Sequence, residues 1–330
     1  MKTRLVVLTL AIAAALAPTA AVAAPPARVI RIGLLDILAP KFDPAANPID
    51  RALVEGLQEY GYVIGRNVVL EFRSADGHPD RLPPLAAELV AAKVEMIITK
   101  VTAPTLAAKA ATQTIPIIML GAADPVLTGI VASLPRPGGN ITGLAYNAAE
   151  ISAKRVQLLQ EAVPKLSRVG VLWNSSFKAM ALGFQHIEQA APALGATIQS
   201  IRVSGSRDFD QAFTAMTQTR PDGLIVLFGP MRGDDLPRIV EFVAKNRIPT
   251  VFELDRGVKG GGLMEFGPSF TRQARRVGGY VDKIANGARP ADLPVEEPSE
   301  FEIVINLKAA KTLGLTIPQS LLLRADRVVE

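Results

Sequence analysis

The sequence predicts an α/β protein of two similar Rossmann-like lobes, each built on a parallel sheet, joined by a three-crossover hinge. Three observations predict it. From Arg28 onward, short β-branched runs alternate with longer stretches of helical period, the pattern of βαβ units. The pattern is then written a second time: Gly61 has its counterpart in Gly195, 134 residues on, and Ile115-Pro116 in Ile248-Pro249, 133 residues on. Finally, three stretches without helical period (residues 135–140, 260–268 and 290–298) are suited to run between two halves.

In the first copy, residues 29–35 read as a buried strand, and residues 49–60 as a helix stopped by Gly61. Residues 67–73 alternate Val68, Leu70 and Phe72 against Val69, Glu71 and Arg73, a strand with two unlike faces. Helices are then predicted over 81–92, 104–112 and 125–133, with strands over 94–99 and 115–120 between them. The second copy predicts strands at 168–173, 197–203, 223–228 and 249–252. Its helices fall at 180–194, stopped by Gly195, and at 208–217 and 236–246. A helix over 270–286, a strand over 301–306 and a helix over 307–313 complete the chain. The first lobe is thus expected to hold residues 28–143 with 268–296, and the second residues 144–267 with 297–330.

Residues 1–23 read as a signal peptide. Lys2 and Arg4 precede an apolar run from Leu5 to Leu16, and Ala21-Val22-Ala23 fits the small-x-small cleavage rule. The run is shorter than the roughly 20 apolar residues that span a bilayer. The chain has no cysteine, which excludes disulfides, thiolate chemistry, Cys-ligated zinc and a lipid anchor on a processed cysteine. A chain free in the periplasm after cleavage is expected. Net charge is +5, and +3 without Lys2 and Arg4. With no basic stripe and 5% aromatic residues, nucleic acid is not an expected partner.

No phosphate-binding loop, dinucleotide fingerprint, zinc-protease motif or nucleophile elbow occurs. Of the two histidines, His78 lies in a turn and His186 in mid-helix, neither beside a nucleophile or a metal-ligand partner. An enzyme is not expected, and no cofactor or metal is called for.

Open parallel sheets bind ligands at the C-terminal ends of their strands. These ends carry Asp36 with Ile37, Thr102 with Ala103, and Ala123 with Asp124 in the first copy. In the second they carry Trp173 with Asn174, Phe228 with Gly229, and Glu253 with Asp255; Tyr146 follows the linker. Such a set suits a small zwitterion: helix-start N–H groups for a carboxylate, aspartate for an ammonium, aromatic rings for an apolar tail. Competing readings stand beside several of them. Thr102 before Ala103-Pro104, and Asp124 before Pro125, have the grammar of helix caps, and Trp173 ends an apolar strand and suits core packing. Lys100 and Arg232 would suit an acidic ligand instead.

The stretches Gly65-Arg66-Asn67-Val68, Asp124-Pro125-Val126, Leu134-Pro135-Arg136-Pro137-Gly138-Gly139-Asn140, Val171-Leu172-Trp173-Asn174, Phe266-Gly267-Pro268 and Pro290-Ala291-Asp292-Leu293-Pro294 carry a resemblance across the whole mature chain. It resembles the ABC transporter substrate-binding proteins of the type I periplasmic fold, whose characterised relatives bind tryptophan or tyrosine. The resemblance implies a monomeric receptor for an amino acid or related organic anion. It also implies ABC permease subunits with a separate ATPase as partners; a sensory module on the same fold is the alternative. The chain departs from the family pattern at Lys100-Val101-Thr102, where a Gly-Gly-Thr turn is common, in the loop from Asp36 to Phe42, and at Glu253-Leu254-Asp255. These departures leave the ligand's side chain open.

Overall fold

The computed structural model describes residues 28–227, 235–253, 256–298 and 300–330. The signal-peptide reading, Phe228, Gly229, Arg232 and Asp255 lie outside the described residues.

The first sheet grows from β1 (Ile30–Asp36), followed by α1 (Pro48–Glu59), β2 (Val68–Ser74), α2 (Leu82–Ala91), β3 (Met96–Lys100), α3 (Thr102–Ala111), β4 (Ile117–Ala123) and β5 (Ile141–Tyr146). Its order is β2-β1-β3-β4-β5, parallel throughout. Helix α1 starts where the Asn47 side chain accepts from the Ile49 N–H at 3.0 Å, and Gly61, at φ 81°, lets the chain turn out of it. The strands are apolar on both faces. Ile32, Leu34, Ile98, Ile118 and Leu120 feed the core under α1, while Leu35, Ile97, Ile117 and Met119 feed the opposite one.

The second sheet follows α4 (Ala148–Ala162). It comprises β6 (Arg168–Asn174), α5 (Lys178–Ala190), β7 (Thr197–Val203), α6 (Phe209–Thr219), β8 (Gly223–Val226), α7 (Asp235–Lys245), β9 (Thr250–Phe252), α8 (Arg256–Lys259) and β10 (Met264–Pro268). After α9 (Phe270–Ala285) come β11 (Phe301–Asn306), α10 (Leu307–Leu313), α11 (Gln319–Leu322) and β12 (Arg327–Val329). Read from its β7 edge, the order is β7-β6-β8-β9-β10, the arrangement of the first sheet repeated, with β11 and β12 added. The β10–β11 pair is the antiparallel one. Between those strands the chain visits the first lobe and comes back from the other direction.

That visit is made by α9, which packs on α1 through two glycines. A Cβ on Gly56 would lie 2.0 Å from the Arg275 carbonyl oxygen, and one on Gly278 would lie 2.0 Å from the Gly56 carbonyl oxygen. The chain then lies beside β5, where Glu296 N–H donates to Gly143 O and Ala145 N–H to Glu296 O, each at 2.9 Å. The three crossings are therefore β5 to α4, β10 to α9, and Glu296 to β11. One apolar cluster runs through them, from Ile97 and Met119 past Tyr146 and Ala148 to Ile151 and Val171.

Two expectations need correction. Residues 125–133 form no helix: Asp124 at φ 39° and Gly129 at φ 78° break the backbone on either side of a single turn. Strand β5 and helix α4 were not anticipated; β5 pairs with β4 as far as Tyr146, so the lobe boundary read between residues 143 and 144 falls inside a strand.

Candidate functional site

The C-terminal strand ends of both sheets border a cavity of about 480 Å³ at the waist, within the range of small-molecule sites. On the first-lobe side, Asp36 ends β1 and accepts through Oδ1 from the N–H groups of Leu38 at 2.8 Å and Ala39 at 3.2 Å. That turn presents Ile37 and Leu38 to the cavity. Lys100, at the end of β3, bonds Asp36 Oδ2 at 2.8 Å and Asp50 Oδ1 at 2.5 Å. Burial alone would push the Lys100 ammonium down; the two carboxylates outweigh it and hold it above its ordinary value. Helix α3 then starts at the cavity wall with no side-chain cap, placing Val101, Thr102, Ala103 and Leu106 along it.

The second lobe contributes the start of α5. Asn174 accepts from the Ser176 N–H at 3.0 Å, a local turn that delivers Phe177, Lys178 and Met180 to the opposite wall. Phe177 is the N-cap residue and supplies no side-chain acceptor. Two helix starts thus face one space with first-turn N–H groups that no side chain satisfies.

At the waist, Tyr146 donates its hydroxyl to Glu253 Oε1 at 3.2 Å, and its ring meets Phe270 edge-on at 6.4 Å. Burial, then the neighbouring Glu253 carboxylate, pushes the Tyr146 phenol well above its ordinary value, so it stays a donor. Arg155 sits 3.3 Å from the same Glu253 oxygen and donates from Nε to the Phe266 carbonyl at 3.0 Å. The charged side chains on the cavity wall among the described residues are Glu253 and Lys178, one of each sign.

The cavity therefore brings together Ile37, Thr102, Ala103, Tyr146 and Glu253. Asn174 lines an adjoining depression of about 260 Å³, bounded across the cleft by His78 and Pro79. Asp36 stands behind the wall, tied to Lys100, which is itself held and not directed at the cavity. Ala123 and Asp124 also stand back. Ala123 donates its N–H to Thr102 Oγ1 at 2.9 Å, so Thr102 braces β4 and does not cap α3. Asp124 instead accepts from the Ala148 N–H at 3.2 Å, reaching across the first crossing to α4. Trp173 stacks on Phe184 at 4.9 Å and donates from Nε1 to Ser200 at 2.9 Å, a packing role.

Sequence reasoning missed Leu38, Val101, Leu106, Phe177, Met180, Phe270 and Arg155. Helix α5 starts at Lys178, two residues before the expected 180, which makes Phe177 its N-cap. For Arg155 the available signal was an arginine on the apolar stripe of Ile151, Val156, Leu158 and Leu159. Ser269, the N-cap of α9, announced Phe270.

Among the described residues, no helix is long and apolar enough to cross a membrane, and no group of three or more His, Cys, Asp and Glu side chains is placed to hold a metal ion. Residues 36–329 match the family model described as ABC transporter substrate binding protein. A tyrosine-binding protein of Clostridioides difficile (strain R20291) is 26% identical over 273 residues, covering 82% of this chain and 78% of that protein. The Streptococcus ABC domain in complex with L-Trp superposes with a TM-score of 0.84 at 26% identity, over 91% of this chain and 100% of that one. The ligand-free, open structure of a substrate binding protein with adhesive properties from Clostridium difficile gives 0.68 at 24% identity, over 91% and 99%.

Proposed function

The chain belongs to the ABC transporter substrate binding protein family, and from that premise we propose that it is the periplasmic solute-binding component of an ABC importer. Its ligand is an amino acid or a similar small organic molecule, held between the lobes. The observation that carries this reading is the cavity wall: two uncapped helix starts, one cation, one anion and otherwise mostly apolar side chains. Orphan N–H groups and the positive helix ends favour a carboxylate. Glu253 supplies the counter-charge for an ammonium. Leu106, Phe177, Met180 and Phe270 suit an apolar or aromatic side chain. A dicarboxylate would leave one charge facing Glu253, and a sugar would leave the apolar walls unused.

The tyrosine-binding relative and the L-Trp complex support an aromatic amino acid. In this reading the lobes are residues 28–146 with 269–296, and 147–268 with 297–330, and the three crossings absorb the rotation. Ligand that touches both walls favours closure because only the closed state offers both. A permease with a separate ATPase then takes the closed monomer as its signal, after the leader of residues 1–23 has sent the chain to the periplasm.

The test is a thermal-shift screen of the mature protein against amino acids, aromatic acids and dicarboxylates. A true ligand at 100 times its Kd adds about 2.7 kcal/mol of stability. A screen in which a dicarboxylate stabilises the protein and no amino acid does would sink the reading.

A further inference from the structure

We propose that Val101 is a strained positioning residue for ligand binding, held over the cavity by the buried Lys100–Asp36–Asp50 network; this rests on the cavity being the ligand site. Val101 has φ 63° and ψ −177°. That region is essentially reserved for glycine, and a residue with a Cβ occupies it at a cost of about 1–3 kcal/mol. Among the described residues, the other non-glycine residues with positive φ are aspartates, lysines and arginines. Val101 alone is β-branched, and for such a residue positive φ is a genuine outlier.

The surroundings over-determine the conformation. Val101 N–H donates to Leu120 O at 2.9 Å, and Val101 O accepts from Thr105 Oγ1 at 2.7 Å. Thr105 is tied in turn to Thr99 Oγ1 at 2.8 Å. On the C-terminal side, Thr102 is fastened to Ala123 N. On the N-terminal side, Lys100 is locked between Asp36 and Asp50, which are 4% and 0% exposed. Asp36 also fixes the Ile37–Leu38 turn, so one buried network sets two adjacent parts of the first-lobe wall. Relaxing Val101 would break its bonds to β4 and to α3 together.

What the strain secures is an apolar side chain at the mouth of α3. A serine, threonine, asparagine or aspartate at this N-cap position would fold its oxygen back onto the first-turn N–H groups. Valine cannot, so no side-chain oxygen at this position competes for the N–H groups of Thr102 and Ala103, while the valine side chain lines the cavity. The first-lobe wall is thus set before ligand arrives, which spares the ligand the work of ordering it.

Two substitutions separate backbone from side chain. Val101→Gly relieves the strain; Val101→Ala keeps it and removes only methyl groups. We expect V101G to melt above V101A in the ligand-free protein, since both lose the isopropyl group and only glycine loses the strain. Binding of L-tryptophan and L-tyrosine, measured by calorimetry, is expected to weaken several-fold in V101A and V101G alike, since both take the isopropyl group off the cavity wall. Asp50→Asn, which touches no part of the cavity wall, should weaken binding several-fold with the fold intact by circular dichroism. A V101G protein no more stable than V101A overturns the strain, whatever the ligand. A V101A or V101G protein that binds as wild type does overturns the positioning role, and unchanged affinity in D50N removes the network from it. Wild-type protein that binds neither probe overturns the amino-acid reading and the ligand role with it. The ligand-free melting temperatures tell that failure apart from a failure of the strain.

Discussion

Replacing Glu253 with glutamine asks whether the waist carboxylate meets a ligand ammonium. The Glu253 side chain is 7% exposed and its partner Arg155 2% exposed, so a charge-assisted bond formed there is shielded from water. Such a bond contributes about 1.5–3 kcal/mol, or roughly a 10- to 150-fold change in Kd. The amide keeps the shape and can still accept from Tyr146. It also leaves the buried Arg155 cation without its anion, a cost of about 3–5 kcal/mol that falls on free and liganded protein alike. Comparing two ligands removes that shared cost. Titration calorimetry of wild type and E253Q against L-tryptophan and its deaminated analogue, 3-indolepropionate, should show the amino acid losing affinity by that factor and the acid losing little. Equal losses for both ligands would refute the assignment, because the effect would then be architectural.

Gly56→Ala forces a methyl group to within 2.0 Å of the Arg275 carbonyl, so α9 must retreat from α1. Overpacking of this kind costs about 1–3 kcal/mol, and differential scanning calorimetry should show the ligand-free melting temperature falling by roughly 2–10 °C. Gly278→Ala strains the same contact, so the double variant should fall by less than the sum. Burial raises the Asp124 carboxyl above its ordinary value, opposed by the Ala148 N–H and by His186. The folded state therefore binds this proton more tightly than the unfolded one, and stability is lost as pH rises from about 4 through the folded value. Asp124→Asn lacks that loss; urea midpoints across pH should show wild type falling relative to it in that window, with the gap constant above. Trp173→Phe should leave ligand affinity unchanged by calorimetry, since Trp173 stacks on Phe184 away from the cavity wall.

Where a periodic pattern is sustained, the fold was legible. The repeated glycine and Ile-Pro landmarks correspond to two sheets with the same strand order, because the spacing of βαβ units is local arithmetic. Asp124-Pro125 misled because the cap grammar is identical whether the acceptor serves the next helix or one beyond the linker; only the left-handed backbone at Asp124 and Gly129 decides. Strand ends located the cavity in outline, and Ile37, Thr102, Ala103, Tyr146 and Glu253 lie on it. Asp36 was read as a ligand contact because no cap pattern explained it. One carboxylate oxygen serves a local turn at Leu38 and Ala39, and the other meets Lys100, 64 positions away in the chain and adjacent only once β1 and β3 pair. Val101 was marked only indirectly, as a departure from the Gly-Gly-Thr turn common in the resembled family; that the valine keeps a glycine's dihedral angles shows only in the backbone.

The docking of α9 on α1 has a consequence for how the protein is made. The core beneath α1 is closed by Ala274, Val277, Tyr280 and Val281, which leave the ribosome more than two hundred residues after α1. Until they arrive, the amino-terminal half has an open apolar flank and no means of completing itself. A chain completed so late keeps that flank uncovered for longer, so the folding of its first half waits on the synthesis of its second.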